Sequence, residues 1–159
     1  MDLMIKAYLE RAQNELAVAD LLMRTSQEKS AKEFLGVHES ITFYSSVISH
    51  SYYAIFYAAK AILLTIKIKT SAPEIHKKTI EEFEKNLVKT GILDVRLLEI
   101  YKTMAVRADG LLEIFKDERW KRGNFTYNTI PQANREPSED SLSNAKLFVS
   151  NISKVIDGM

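Results

Sequence analysis

Three histidines, at positions 38, 50 and 76, are the only side chains in this chain whose ordinary pKa lets them exchange protons near neutral pH. His76 stands directly before Lys77 and Lys78 and close to Lys67 and Lys69. Such a group either contacts phosphate oxygens or forms a solvated helix face. A second basic group, Arg119, Lys121 and Arg122, reads either as a functional cation site centred on Arg122 or as positive charge at a helix end, where the helix dipole favours it. His50 follows Ser49 and precedes Tyr52 by two positions, so it either packs as a satisfied polar group between helices or faces a functional surface. His38 has no suggestive neighbour and reads as a surface residue. Tyr52, Tyr53, Phe56 and Tyr57 crowd together, but their helical period marks them as core and dimer surface more than as a platform for stacking bases.

Other chemistries are poorly provided for. There is no cysteine, which removes disulfides, thiolate metal sites and cysteine nucleophiles and suits a reducing compartment. No His-x-x-x-His, Glu-x-x-His or carboxylate cluster stands at ligand spacing, so no metal site is expected. Glycine-rich phosphate loops are also absent, and no cofactor is expected. The net charge of +1 makes any nucleic-acid contact a matter of local patches. The N-terminus lacks a basic stretch followed by an apolar one, and the apolar run from Tyr52 to Ile66 is broken by Lys60. The expectation is a cytoplasmic protein without a membrane span.

These residues must be positioned by helices. Five glycines and three prolines in 159 residues argue for long helices rather than strands and turns. Apolar positions alternate by three and four from Ile5 to Met23, from Tyr44 to Ile66, from Leu98 to Phe115 and from Leu142 to Ile156. The second stripe is apolar on nearly every face and predicts a central helix. A shorter helix is expected over 73–89, with Pro73 at its first position and Gly91 as its C-cap. Asp94 and Ser138 are expected to cap the next helix, 94–119, and the last one. Residues 25–39 and 123–137 read as irregular, the first with a short helical turn near 31–35. The predicted architecture is a single all-α domain over 1–159, an up-down bundle of about five helices.

Three segments carry a resemblance to a known family. The run Ile48-Ser49-His50-Ser51-Tyr52-Tyr53-Ala54-Ile55-Phe56-Tyr57-Ala58-Ala59-Lys60-Ala61 looks like the central helix of HEPN proteins, small helical proteins associated with nucleotides and RNA. Glu74 to Lys78, with Phe83 and Val88 to Gly91, resembles the family's basic His-containing loop and the helix after it. Arg122-Gly123-Asn124-Phe125-Thr126-Tyr127, followed by Ala145-Lys146-Leu147-Phe148, is similar to the family's Arg-to-Tyr motif and closing helix. The ribonuclease branch places His four to six residues after Arg. Here that window holds Tyr127 and Asn128, and all three histidines lie upstream. The likeness is therefore to the branch with Tyr in place of His, whose members are often paired with a small nucleotidyltransferase. Arg107-Ala108-Asp109 is a second candidate for the arginine, but Gly110 follows where Tyr would stand.

The resemblance implies a homodimer and two function classes. In the first, the chain is a toxin-like RNA-binding or RNA-cleaving module that works without metal. Arg122 holds phosphate, Tyr127 and Asn128 assist, and His50, Arg119, Lys121, His76 and Lys77 contact the nucleic acid. An arginine stays ionised at physiological pH and stabilises, by paired hydrogen bonds, the charge that builds on phosphate when a 2′-hydroxyl attacks it. Tyr127, with an ordinary pKa of about 10, is a poor base but can donate a hydrogen bond. In the second class, the chain is a non-catalytic partner of a minimal nucleotidyltransferase that binds a nucleotide, with Tyr127 as contact or modification acceptor. A structural interaction domain without an active site is the third reading.

Overall fold

The computed structural model of the chain describes residues 2–112 and 135–159. All regular structure among them is helical: α1 (Leu3–Gln27), α2 (Lys29–Leu35), α3 (Tyr44–Thr65), α4 (Ile75–Phe83), α5 (Val95–Leu112) and α6 (Arg135–Asp157). One turn of π-helix, Glu84–Val88, extends α4. The expected all-α bundle is present, with α2 added to the five helices.

α1 starts where Asp2 accepts a hydrogen bond from the Met4 amide at 2.8 Å, satisfying one of the free N–H groups of the first turn. Its stripe buries Ile5, Ala12, Ala19 and Met23. α3 buries residues on almost every side, as its composition predicts, and packs against α1, α4, α5 and α6. Ala54, Ala58, Ala59 and Ala61 are fully buried and let neighbouring helices approach closely. Beside α3, the rings of Phe83, Tyr101 and Phe148 meet at 5.5–5.7 Å and join α4, α5 and α6. α3 is also long and apolar enough to cross a membrane by length and composition, but 67% of that stretch is buried inside the bundle.

Three expectations about element ends change. Residues 25–39 are largely helical, not irregular. Thr25 and Ser26 return their hydroxyls to the carbonyls of Leu21 and Leu22, and Lys32 is buried with its ammonium on the carbonyls of Ser26 and Ile41. These polar residues are thus satisfied inside the fold, which composition alone does not reveal. α4 begins at Ile75 and not at Pro73, because Glu74, at its N-cap, has a left-handed backbone with φ 56°. Ser138 lies inside α6, donating its hydroxyl to the Arg135 carbonyl at 2.6 Å instead of accepting from an amide. The other two signals hold. Asp94 accepts from the Arg96 amide at 2.7 Å, and Gly91 takes φ 80° just past the helix end, a conformation open to glycine.

Candidate nucleic-acid interface

One strip of α3 carries Tyr53, Tyr57 and Lys60, spaced four and three residues apart and all half-buried. α1 borders it on one side and α4 on the other. From α1, Tyr8 stacks on Tyr57 with centroids 6.2 Å apart, and the Arg11 guanidinium lies 5.0 Å from the Tyr57 ring. From α4, His76 meets Tyr53 edge to face at 5.9 Å and lies 4.4 Å from Phe56. Lys60 sits over Tyr8 at 4.9 Å and over Phe56 at 5.6 Å. Rigid aromatics interleaved with cations are what a single nucleic-acid strand needs from a protein surface.

His76 is held without a formal charge. Tyr52 is fully buried, and burial, reinforced by the nearby phenols, pushes its hydroxyl well above its ordinary pKa. It therefore stays protonated, and its hydroxyl shares a 2.9 Å hydrogen bond with Nδ1 of His76. Burial, and then the Lys60 charge, lower the His76 pKa, so the ring is neutral at physiological pH. Beneath it the Tyr101 hydroxyl is fully buried, and burial pushes its pKa well up.

His50 is held by a carboxylate. Its Nδ1 lies 2.6 Å from Oε2 of Glu15, whose other oxygen accepts from Arg11 at 3.1 Å. Glu15 is only 8% exposed, and the three side chains tie α1 to α3. Lys77 sits beside His76 on α4, half-buried, and Lys78 reaches the Ser71 carbonyl at 3.4 Å. The structure thus brings His76 and Lys60 together on the tyrosine strip and gives His50 a carboxylate partner. His38 is exposed, as expected. Arg107, the second candidate for the motif arginine, is committed to Asp140 and to Ser141 at 3.2 Å, joining α5 to α6. Arg119, Lys121, Arg122, Tyr127 and Asn128 lie outside the described residues.

Sequence reasoning passed over Tyr8, Arg11, Glu15 and Lys60. Their spacing on α1 (8, 11, 15) and on α3 (50, 53, 57, 60) was available as two helix faces. That the two faces meet is a tertiary fact. The tyrosine cluster also divides: Tyr52 and Phe56 belong to the core, as expected, whereas Tyr53 and Tyr57 keep part of their surface in water. No group of three or more metal-ligating side chains occurs among the described residues.

Two proteins of Methanocaldococcus jannaschii are similar to this chain. The one named "Putative toxin MJ0142" is 36% identical over 97 residues, which span 57% of this chain and 63% of that relative's length. The one named "Putative toxin MJ0605" is 27% identical over 152 residues, 96% of this chain and 88% of the relative. No family model matches the chain. No solved structure matches it.

Proposed function

We propose that this protein is a toxin-like module that acts on RNA and is restrained by a partner protein. The observation that carries the reading is the similarity, running over 96% of the chain, to a protein that bears a toxin name. The strip of Tyr53, Tyr57 and Lys60, flanked by Arg11 and His76, supports RNA as the target, because it combines aromatic surface with cations.

In this reading Arg122 contacts the scissile phosphate. Attack of a ribose 2′-hydroxyl on phosphorus places extra negative charge on the non-bridging oxygens, which a guanidinium stabilises. The P–O5′ bond then breaks and leaves a 2′,3′-cyclic phosphate and a 5′-hydroxyl. Tyr127 and Asn128 supply hydrogen bonds to phosphate or leaving oxygen. His50, His76, Lys77, Arg119 and Lys121 hold the strand, and two copies of the chain form the active unit.

The test is cleavage of a single-stranded RNA by the pure protein in EDTA, with Arg122→Ala as the comparison, alongside induced expression of both forms in a bacterial host. The reading expects cleavage and growth arrest by wild type, with cleavage reduced about 100- to 1000-fold in the variant, the range seen when one donor to a developing oxyanion is removed. Growth arrest by wild type with intact cellular RNA would remove RNA as the target. Absence of arrest would remove the toxin reading.

A further inference from the structure

A cavity of about 300 Å³ opens at the end of the α1–α3 seam, walled by Leu63, Leu64 and Ile68 and closed on one side by Tyr8. Lys60 and Lys69 also line it. Lys60 is half-buried. It faces two aromatic rings and reaches the Thr70 carbonyl only at 3.5 Å. Neither lysine has a carboxylate partner among the described residues. A half-buried ammonium without an anion is an unfavourable arrangement unless something supplies the counter-charge.

The loop that forms the outer wall is held in a costly backbone. Lys67 and Glu74, at its two ends, have φ of 63° and 56°, in a region that side chains other than glycine seldom adopt. At Lys67 this conformation closes α3, whose Leu63 and Leu64 carbonyls accept from the Ile68 and Lys67 amides at 3.0 and 2.9 Å. The loop is pinned between those ends by the Thr70 hydroxyl, 2.7 Å from that of Thr79, which itself donates to the Ile75 carbonyl. The wall carrying Ile68, Lys69 and Thr70 is thus set before any ligand arrives.

The geometry points to a binding site for a small organic anion with an aliphatic body, a free carboxylate or phosphate monoester whose charge meets Lys60 and Lys69 and whose chain lies on Leu63, Leu64 and Ile68. The walls are aliphatic and the cations stand together, so charge and chain are recognised separately. This is the usual make-up of a small-molecule pocket, mostly apolar with a few converging polar groups. The site shares Lys60 with the tyrosine strip, but it uses neither Arg122 nor Tyr53 and Tyr57, and Lys69 belongs to it alone.

Octanoate is the probe, measured by titration calorimetry on the full chain, with octanol and octylammonium as chain-matched controls. The expected result is saturable one-to-one binding of octanoate, at least about tenfold tighter than either control, in line with one charge-assisted contact. Lys60→Met should weaken octanoate about tenfold or more and leave octanol unchanged, while Lys60→Arg should retain octanoate binding. Lys69→Gln, a change at an exposed position that leaves the fold intact, should weaken octanoate less. The proposal is overturned if octanoate binds no better than octanol. It is also overturned if Lys60→Met and Lys69→Gln both bind as wild type, or if the protein binds phosphatidylglycerol vesicles but not octanoate, which would make the lysines a membrane contact. RNA cleavage measured on Lys69→Gln separates this site from the RNA reading, because that change should weaken octanoate and leave cleavage unchanged.

Discussion

The two histidines beside the tyrosine strip are held in opposite ways. His50 is fastened to a carboxylate: Glu15 lies between it and Arg11, and the imidazole stays 35% exposed. His76 is fastened by apolar surface and one hydrogen bond to a neutral phenol, with Phe56 below it, Tyr52 bonded to its Nδ1 and Lys60 opposing any charge on it. One residue type on the same side of the bundle is thereby made part of an ionic clamp in one place and a neutral ring on an aromatic floor in the other.

The largest effect that would break this contrast is loss of the floor under His76. Phe56→Ala should cost about 3–5 kcal/mol in denaturant unfolding, the range for removing a buried aromatic ring. A cost under about 1 kcal/mol would mean that the His76 cluster is not part of the core. Tyr52→Phe is a narrower cut: it deletes one hydroxyl and leaves Nδ1 of His76 without its partner, with an expected cost of about 1–3 kcal/mol that is insensitive to added salt. His50→Ala should cost about 1 kcal/mol, less than either, because Glu15 keeps Arg11, and the loss should shrink as ionic strength rises. If the Tyr52 and His50 variants respond to salt alike, the division between a neutral and a charged clamp fails.

The smallest effect is in pH. The folded His76 has a pKa below its ordinary value of about 6.5, so the unfolded chain binds the proton first as pH falls. Its contribution to stability is therefore complete above about pH 6.5 and is lost as pH falls toward the folded-state value. His76→Gln should flatten the slope of stability against pH just below 6.5, and an unchanged slope would show that the ring is not held neutral.

Much of the fold was legible in the chain because helix periodicity is a local property. The stripes of α1, α3, α5 and α6, the all-round apolar α3, the Asp94 cap and the Gly91 terminus all follow from residue type and spacing. The errors fell on polar residues whose hydrogen bonds composition does not announce. Lys32, Thr25 and Ser26 look like loop residues, yet carbonyls within nine residues satisfy them and the fold buries them. Glu74 stops a helix that Pro73 had every local reason to begin.

The candidate site divides along the same line. The sequence by itself determined that His50, Tyr53, Tyr57 and Lys60 share a face of one helix, that His76 and Lys77 stand together, and that Tyr127 follows Arg122 by five positions. Only the tertiary structure decided that Glu15 claims His50, that Tyr52 and Lys60 keep His76 neutral, and that two lysines border an aliphatic cavity. The reason is physical. Periodicity fixes which side chains share a face, whereas pKa, burial and pairing depend on which other face is packed against it.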